Sequence, residues 1–222
     1  MSMIDDTGAR EKSATRGAYL TLREMILTGE LRAGEKLKID KLRAMLSLGA
    51  SPIREALSLL TSDMLVERID QRGFRAAPAS QANFEEILML RSTLEDMALR
   101  KSIANTTSEW EERLVLSHHR MKKAVGQGTA VFELAHKAFH MALLDNSGSQ
   151  MLLKYCGQLY DLNIRYRYLA ASSEQYVSRD IPFEHAEILE AALGHNADLA
   201  VDRLVNHYAL TGDYLSPRLG NL

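Results

Sequence analysis

Residues 31–78 read LRAGEKLKIDKLRAMLSLGASPIREALSLLTSDMLVERIDQRGFRAAP, and the spacing of apolar, capping and turn residues in this stretch decides the fold of the first third of the chain. Ser51 followed by Pro52 sets a hydroxyl cap before a residue whose missing N–H costs nothing at a first helical position, so a helix is predicted to start there. Ile53, Ala56, Leu57 and Leu60 then recur at helical spacing, and the pattern ends near Ser62. Upstream, a short extended piece, LRAGEKLKI, leads to Asp40, placed as the cap of a helix through Lys41, Leu42, Met45 and Leu46. Downstream, strand-forming residues flank a turn at Asp70–Gly73, which predicts a hairpin with Arg72 and Gly73 near its tip.

Working outward, Ala18, Leu22, Met25 and Ile26 predict a helix from Thr15 to about Thr28, closed by Gly29. On the other side, Ala76–Ala79 reads as a linker with Ser80 able to cap the next element, so the domains are expected at 1–78 and 79–222. The second part shows helical periodicity only. Breaks at Asn105–Thr107, Gly126–Gly128, Ser147–Ser149, Ser172–Ser173 and Gly194–Asn196 predict about six helices and no strand, with Ser108 and Glu111 as a capping box. The expected fold class is mainly α: a winged helix-turn-helix followed by an all-helical bundle.

Composition agrees with a helical globular protein of two domains: 222 residues, 46% hydrophobic, 25% charged and four prolines. The lone Cys156, set among Leu152, Leu153 and Leu159, reads as a small buried hydrophobe and fits a reducing compartment. No stretch approaches the ~20 apolar residues that span a bilayer, and the N-terminus lacks a signal-peptide core, so a cytoplasmic protein without a membrane partner is expected. Residues 1–78 carry 13 Lys/Arg against 11 Asp/Glu, while the remainder carries 14 against 18. This mild asymmetry does not establish nucleic-acid binding; it only directs attention to the first third.

Three helices with a tight turn before the third, then a hairpin, describe a winged helix-turn-helix. In that arrangement the third helix enters the major groove of double-stranded DNA. Ser51 and the amides around it then meet phosphate, Arg54 reaches a base edge or a phosphate, and Arg72 can enter a neighbouring minor groove. Arg43 is a weaker phosphate candidate. The same three-helix pattern also suits a protein-interaction module. The quoted stretch, with GASPIREAL and a wing closing on RGF, resembles the DNA-binding domain of GntR-type bacterial regulators. Arg54 matches the arginine within REAL, and Gly73 matches the wing glycine. Ala50 stands where relatives often have an arginine, so a base contact at that position is not carried over.

In the second part, His136 and His140 lie four apart, about 40° around a helix, on the face of Phe132, Phe139 and Leu143. His185 shares a face with Ile188, Leu189 and Ala192, and His207 with Ala200, Leu204 and Thr211. If these two helices pair antiparallel about Gly194–Asn196, both imidazoles sit ~15 Å from the turn. Inward imidazoles need polar partners, since an unpaired buried polar group costs about 1–3 kcal/mol. One metal ion satisfies all four, with zinc the default and nickel, cobalt or iron as alternatives; two hydrogen-bonded histidine pairs without metal would also serve.

This half resembles the all-helical FCD-type effector domain of the FadR-like GntR branch. Phe139–His140 matches its FH pair, and EHAEILEAAL with His207 matches its later histidines, while His136 replaces the acidic residue four positions before the histidine of that pair. The resemblance implies a metal that coordinates a small carboxylate effector, and it places Arg91, within LRSTLE, in the pocket. A guanidinium fork suits such a carboxylate. A homodimer is expected, because one winged domain contacts too little DNA for specific affinity and two copies can read a palindrome. A hydrolase is the chief rival, since HKAFH has the histidine spacing of zinc-protease helices; Lys137 in place of the general-base glutamate argues against it. A third possibility is a sensor whose signal is the metal itself.

Overall fold

The computed structural model describes residues 4–70, 72–170 and 180–219, with side chains from Ser13 onward except at 169–170, 214 and 216–219. It opens with α1 (Ile4–Leu27), then β1 (Lys36–Leu37), α2 (Ile39–Leu46), α3 (Ala50–Ser62), β2 (Val66–Ile69) and β3 (Gly73–Ala76). Six further helices succeed them: α4 (Gln81–Ala104), α5 (Ser108–Ala124), α6 (Thr129–Leu144), α7 (Gln150–Ala170), α8 (Ile181–Leu193) and α9 (Ala197–Leu219). Two compact units result. One is built on residues up to Ser80 with the end of α7 from Ile164, the other on Gln81–Asn163 with α8 and α9.

The first unit is organised by the apolar stripe of α3. Ile53, Ala56, Leu57 and Leu60 are fully buried, together with Leu22 and Ile26 of α1 and Leu42 of α2. Truncating such a residue, for example Leu57→Ala, costs about 2–5 kcal/mol. Two polar contacts fix α1 on α3: Tyr19 donates to Asp63 at 2.7 Å, and Thr15 donates to Glu55 at 2.9 Å. The predicted hairpin is present, with β2 and β3 antiparallel and Glu67 opposite Arg75. Those two form an ion pair at 2.5 Å. The short extended piece becomes a third strand, β1, which pairs with the other side of β3 and sets Leu37 opposite Phe74.

Several predicted helix starts move. The helix expected from Thr15 starts at Ile4. Asp40 lies inside the first turn of α2, where it pairs with Arg43, and Lys38 is the cap. Ser51 and Pro52 are likewise inside α3, because Gly49, extended at φ −68° and ψ 167°, supplies the cap without a side-chain bond. Pro52 remains tolerable there, since the first-turn amides lack intrahelical acceptors in any case. In α5 the cap is Thr107 rather than Ser108, its hydroxyl accepting from the Trp110 amide at 3.2 Å. Ser172–Ser173 lie outside the described residues.

In the second unit, α5 is tied to α6 by Trp110 Nε1, which donates to the Ala142 carbonyl at 2.8 Å. Asp180 caps α8 by accepting from the Phe183 amide, and Asn196 accepts from the Leu199 amide at the start of α9. The two helices turn at Gly194–Asn196, as the antiparallel reading requires. Gly212 lets α9 lie close to α4, since a Cβ there would come within 2.6 Å of Leu88 Cδ2. Among the described residues, no helix is long and apolar enough to cross a membrane.

Candidate metal centre and nucleic-acid interface

The four histidines singled out in the sequence come together inside the second unit. His136 and His140 descend from α6, His185 from α8 and His207 from α9, and none is more than 5% exposed. The Nε2 atoms of His136 and His185 are 3.0 Å apart, and that of His140 is 3.2 Å from each. The His207 ring lies 4.6 Å from that of His185, centroid to centroid, and ligand atoms from all four residues fall within 4.8 Å of one another. The arrangement follows from the helix period: a four-residue step keeps two rings of α6 on one face, and the antiparallel α8–α9 pair brings the other two to the same height.

Three ring nitrogens about 3 Å apart cannot pair fully by hydrogen bonds among themselves, because each is either a donor or an acceptor and at least two of the three must face each other in the same role. A cation at their centre would satisfy them together. Zinc–nitrogen bonds of about 2.0–2.1 Å in a tetrahedron give nitrogen separations of about 3.3 Å, close to those observed. Three outward nitrogens are already engaged: His136 Nδ1 with the Tyr160 hydroxyl at 2.5 Å, His140 Nδ1 with the Tyr208 hydroxyl at 3.0 Å, and His207 Nδ1 with Glu184 at 2.7 Å. The donor set therefore fits a divalent metal bound through nitrogen.

Beside this cluster lies Arg91 of α4, only 3% exposed. Its Nε donates to Glu95 at 2.7 Å and its Nη1 to Asn163 at 3.0 Å. The rings of Tyr160 and Tyr208 sit 4.9 and 4.3 Å from its guanidinium carbon, within range for cation–π attraction. Burial opposes its charge, but Glu95, Tyr208 and Tyr160 together outweigh that and raise the guanidinium further above its ordinary range. Burial also pushes the Tyr208 hydroxyl well above the usual tyrosine value, against the opposing pull of Arg91, so it stays protonated. Arg91 Nη2 is buried without a hydrogen-bond partner. Two of the three guanidinium nitrogens are thus committed within the chain, which leaves one nitrogen, not an open fork, for a ligand.

Tyr160, Asn163, Glu95, Tyr208 and Glu184 are not anticipated from the sequence. Glu95 carries a local signal, four residues after Arg91 on one helix face. Tyr160 carries none, because α7 gives no period that distinguishes this tyrosine from its neighbours.

In the first unit, Ser51, Arg54, Arg72 and Gly73 are all exposed. Ser51 lies in the first turn of α3, which holds no acidic residue. Its orphan amides and the helix dipole thus present positive potential unopposed. Arg54 lies one turn on, on the exposed side of the same helix, and Arg72 precedes β3 in the wing turn. Gly73 adopts φ +93°, which L side chains avoid. Arg43 is exposed on α2 and paired with Asp40 at 3.3 Å, so part of its charge is already answered.

Residues 14–75 match the gntR family of bacterial regulatory proteins, and residues 86–210 match the FCD domain. The chain belongs to the GntR family. As a GntR regulator it is 32% identical over 206 residues to the HTH-type transcriptional regulator BphR of Paraburkholderia xenovorans, covering 90% of this chain and 84% of that one. It is 33% identical over 156 residues to the HTH-type transcriptional repressor GlaR of Escherichia coli, covering 68% of this chain and 71% of that one. Among solved structures, E. coli McbR/YncC shares the fold with a TM-score of 0.78 at 20% identity, covering 92% and 98% of the two chains. This GntR regulator is therefore a DNA-binding transcriptional regulator with a winged helix-turn-helix and an all-helical FCD domain.

Proposed function

We propose that this GntR regulator is a cytoplasmic homodimer whose operator affinity is set by a small carboxylate bound beside a divalent metal. The work divides between residues 1–78, which engage DNA, and residues 79–222, which bind effector and partner. The convergence of three Nε2 atoms at 3.0–3.2 Å, with His207 completing the set, carries the reading. His136, His140, His185 and His207 would hold the metal, zinc before nickel, cobalt or iron. The ion would supply a Lewis-acid point of attachment for the effector. Arg91 Nη2, a buried cationic donor lacking an acceptor, would take one carboxylate oxygen. Leaving such a donor unsatisfied is costly, so a ligand that satisfies it gains accordingly.

On DNA, Ser51 and the α3 amides would bind phosphate, Arg54 a base edge, Arg72 the minor groove with Gly73 shaping the wing, and Arg43 a flanking phosphate. Repression is favoured over activation by the likeness to the relative named a repressor. Titrating purified protein with zinc and with organic acids separately, while following promoter-fragment binding, tests the reading. An acid that changes DNA affinity only in the metal-loaded protein supports it. If metal alone switches DNA binding and no acid has an effect, the metal-sensor reading replaces it.

A further inference from the structure

The outward nitrogens of His136, His140 and His207 each end on an oxygen, but these oxygens are not equivalent. Glu184 meets His207 directly. His140 meets a hydroxyl, and behind that hydroxyl stands a carboxylate: Tyr208 also contacts Glu95 Oε2, while Glu95 Oε1 receives the Arg91 Nε proton at 2.7 Å. Every member of this chain, His140, Tyr208, Glu95 and Arg91, is at most 3% exposed, so water does not compete for any link.

The proton order is set by the donor inventory. An imidazole that ligates through Nε2 carries its hydrogen on Nδ1. His140 Nδ1–H then donates to the Tyr208 oxygen, Tyr208 O–H donates to Glu95, and Glu95 accepts also from Arg91. No link is left with two donors or two acceptors facing each other. The reverse order fails at the tyrosine: were His140 Nδ1 bare, the single Tyr208 proton would have to serve both His140 and Glu95.

We propose that Tyr208 and Glu95 are positioning residues that hold His140 in its metal-ligating tautomer and raise its basicity, with Arg91 fixing the far end of the relay. This rests on the metal site proposed for the four histidines and extends it. The guanidinium offered to the effector and the imidazole offered to the metal become two ends of one hydrogen-bonded line. Binding at either end is felt at the other, in equal measure by linkage.

Outer-shell partners of metal-bound histidines typically contribute about 10–100-fold in metal affinity. Tyr208→Phe keeps the ring over Arg91 and removes only the hydroxyl, so competition against a chromophoric chelator should show zinc held at least about 10-fold more weakly. The cobalt-substituted variant should show shifted visible absorption bands, which a purely structural role for the hydroxyl would leave in place. In the zinc-loaded wild type, long-range 1H–15N NMR should find the His140 proton on Nδ1; this measurement needs no variant to fold. Zinc affinity and cobalt bands unchanged in Tyr208→Phe would overturn the relay while leaving the metal site intact; the His140 proton found on Nε2 in the zinc-loaded protein would overturn the relay and remove His140 from the ligand set. A wild-type protein that binds neither zinc nor cobalt would overturn the metal reading and the relay with it.

Discussion

Arg91 and Glu95 stand one turn apart on α4 and form an ion pair at 2.7 Å, with side chains only 4% and 2% exposed. Surface pairs at this spacing are worth a few tenths of a kcal/mol, but a pair removed from water behaves differently. Losing one partner strands the other charge. Glu95→Ala should therefore lower the unfolding free energy by about 3–5 kcal/mol in urea denaturation. A loss below about 1 kcal/mol would mean that water or another acceptor reaches Arg91.

In the proposed DNA interface, Arg54 is the arginine assigned to a base edge. Arg54→Ala should weaken binding to the cognate operator by about 1–3 kcal/mol and flatten discrimination between operator variants. Arg43→Ala, which removes a charge already shared with Asp40, should act weakly and equally on all sequences. Gel-shift titrations across a small set of operator variants at fixed salt measure both. Equal effects from the two substitutions would place Arg54 on the backbone rather than on a base.

Cys156 is fully buried, and burial pushes its thiol pKa up to about 12. The thiolate is the nucleophile, and at pH 8 the folded protein would hold only about 1 part in 10,000 in that form. Iodoacetamide should leave the native protein unmodified at pH 8 and alkylate it promptly in denaturant, as mass spectrometry would record. Rapid alkylation of the native state would show that the α7 packing around this thiol opens readily.

The DNA-binding unit is legible because α3 writes its burial into its spacing: Ile53, Ala56, Leu57 and Leu60 read as its inner face and are all buried. Its boundary is not. Ser51–Pro52 is a strong start signal, but Gly49 already turns the chain and the helix begins at Ala50, since a glycine cap leaves little trace in sequence. Thr107 and Ser108 are chemically interchangeable caps, and only the backbone decides between them. The histidines are legible because each sits on the apolar face of a periodic helix. The groups behind them are not, because Tyr160, Tyr208 and Glu95 reach the cluster through tertiary packing that no single helix period records.

Gly73 should tolerate substitution sterically, since nothing lies within 4 Å of a Cβ built there, but not conformationally, at φ +93°. Gly73→Ala is expected to cost about 1–2 kcal/mol of stability in the first unit, read by urea denaturation. A neutral result would show that the wing turn can relax to a negative φ.

Metal content of protein purified without a histidine tag tests the central claim most directly. After reloading with zinc and dialysis, elemental analysis should find about one equivalent per chain in the wild type and a large loss in His140→Ala. Less than about a tenth of an equivalent of any transition metal in the reloaded wild type would contradict it, and would leave the four imidazoles as a hydrogen-bonded cluster without an ion.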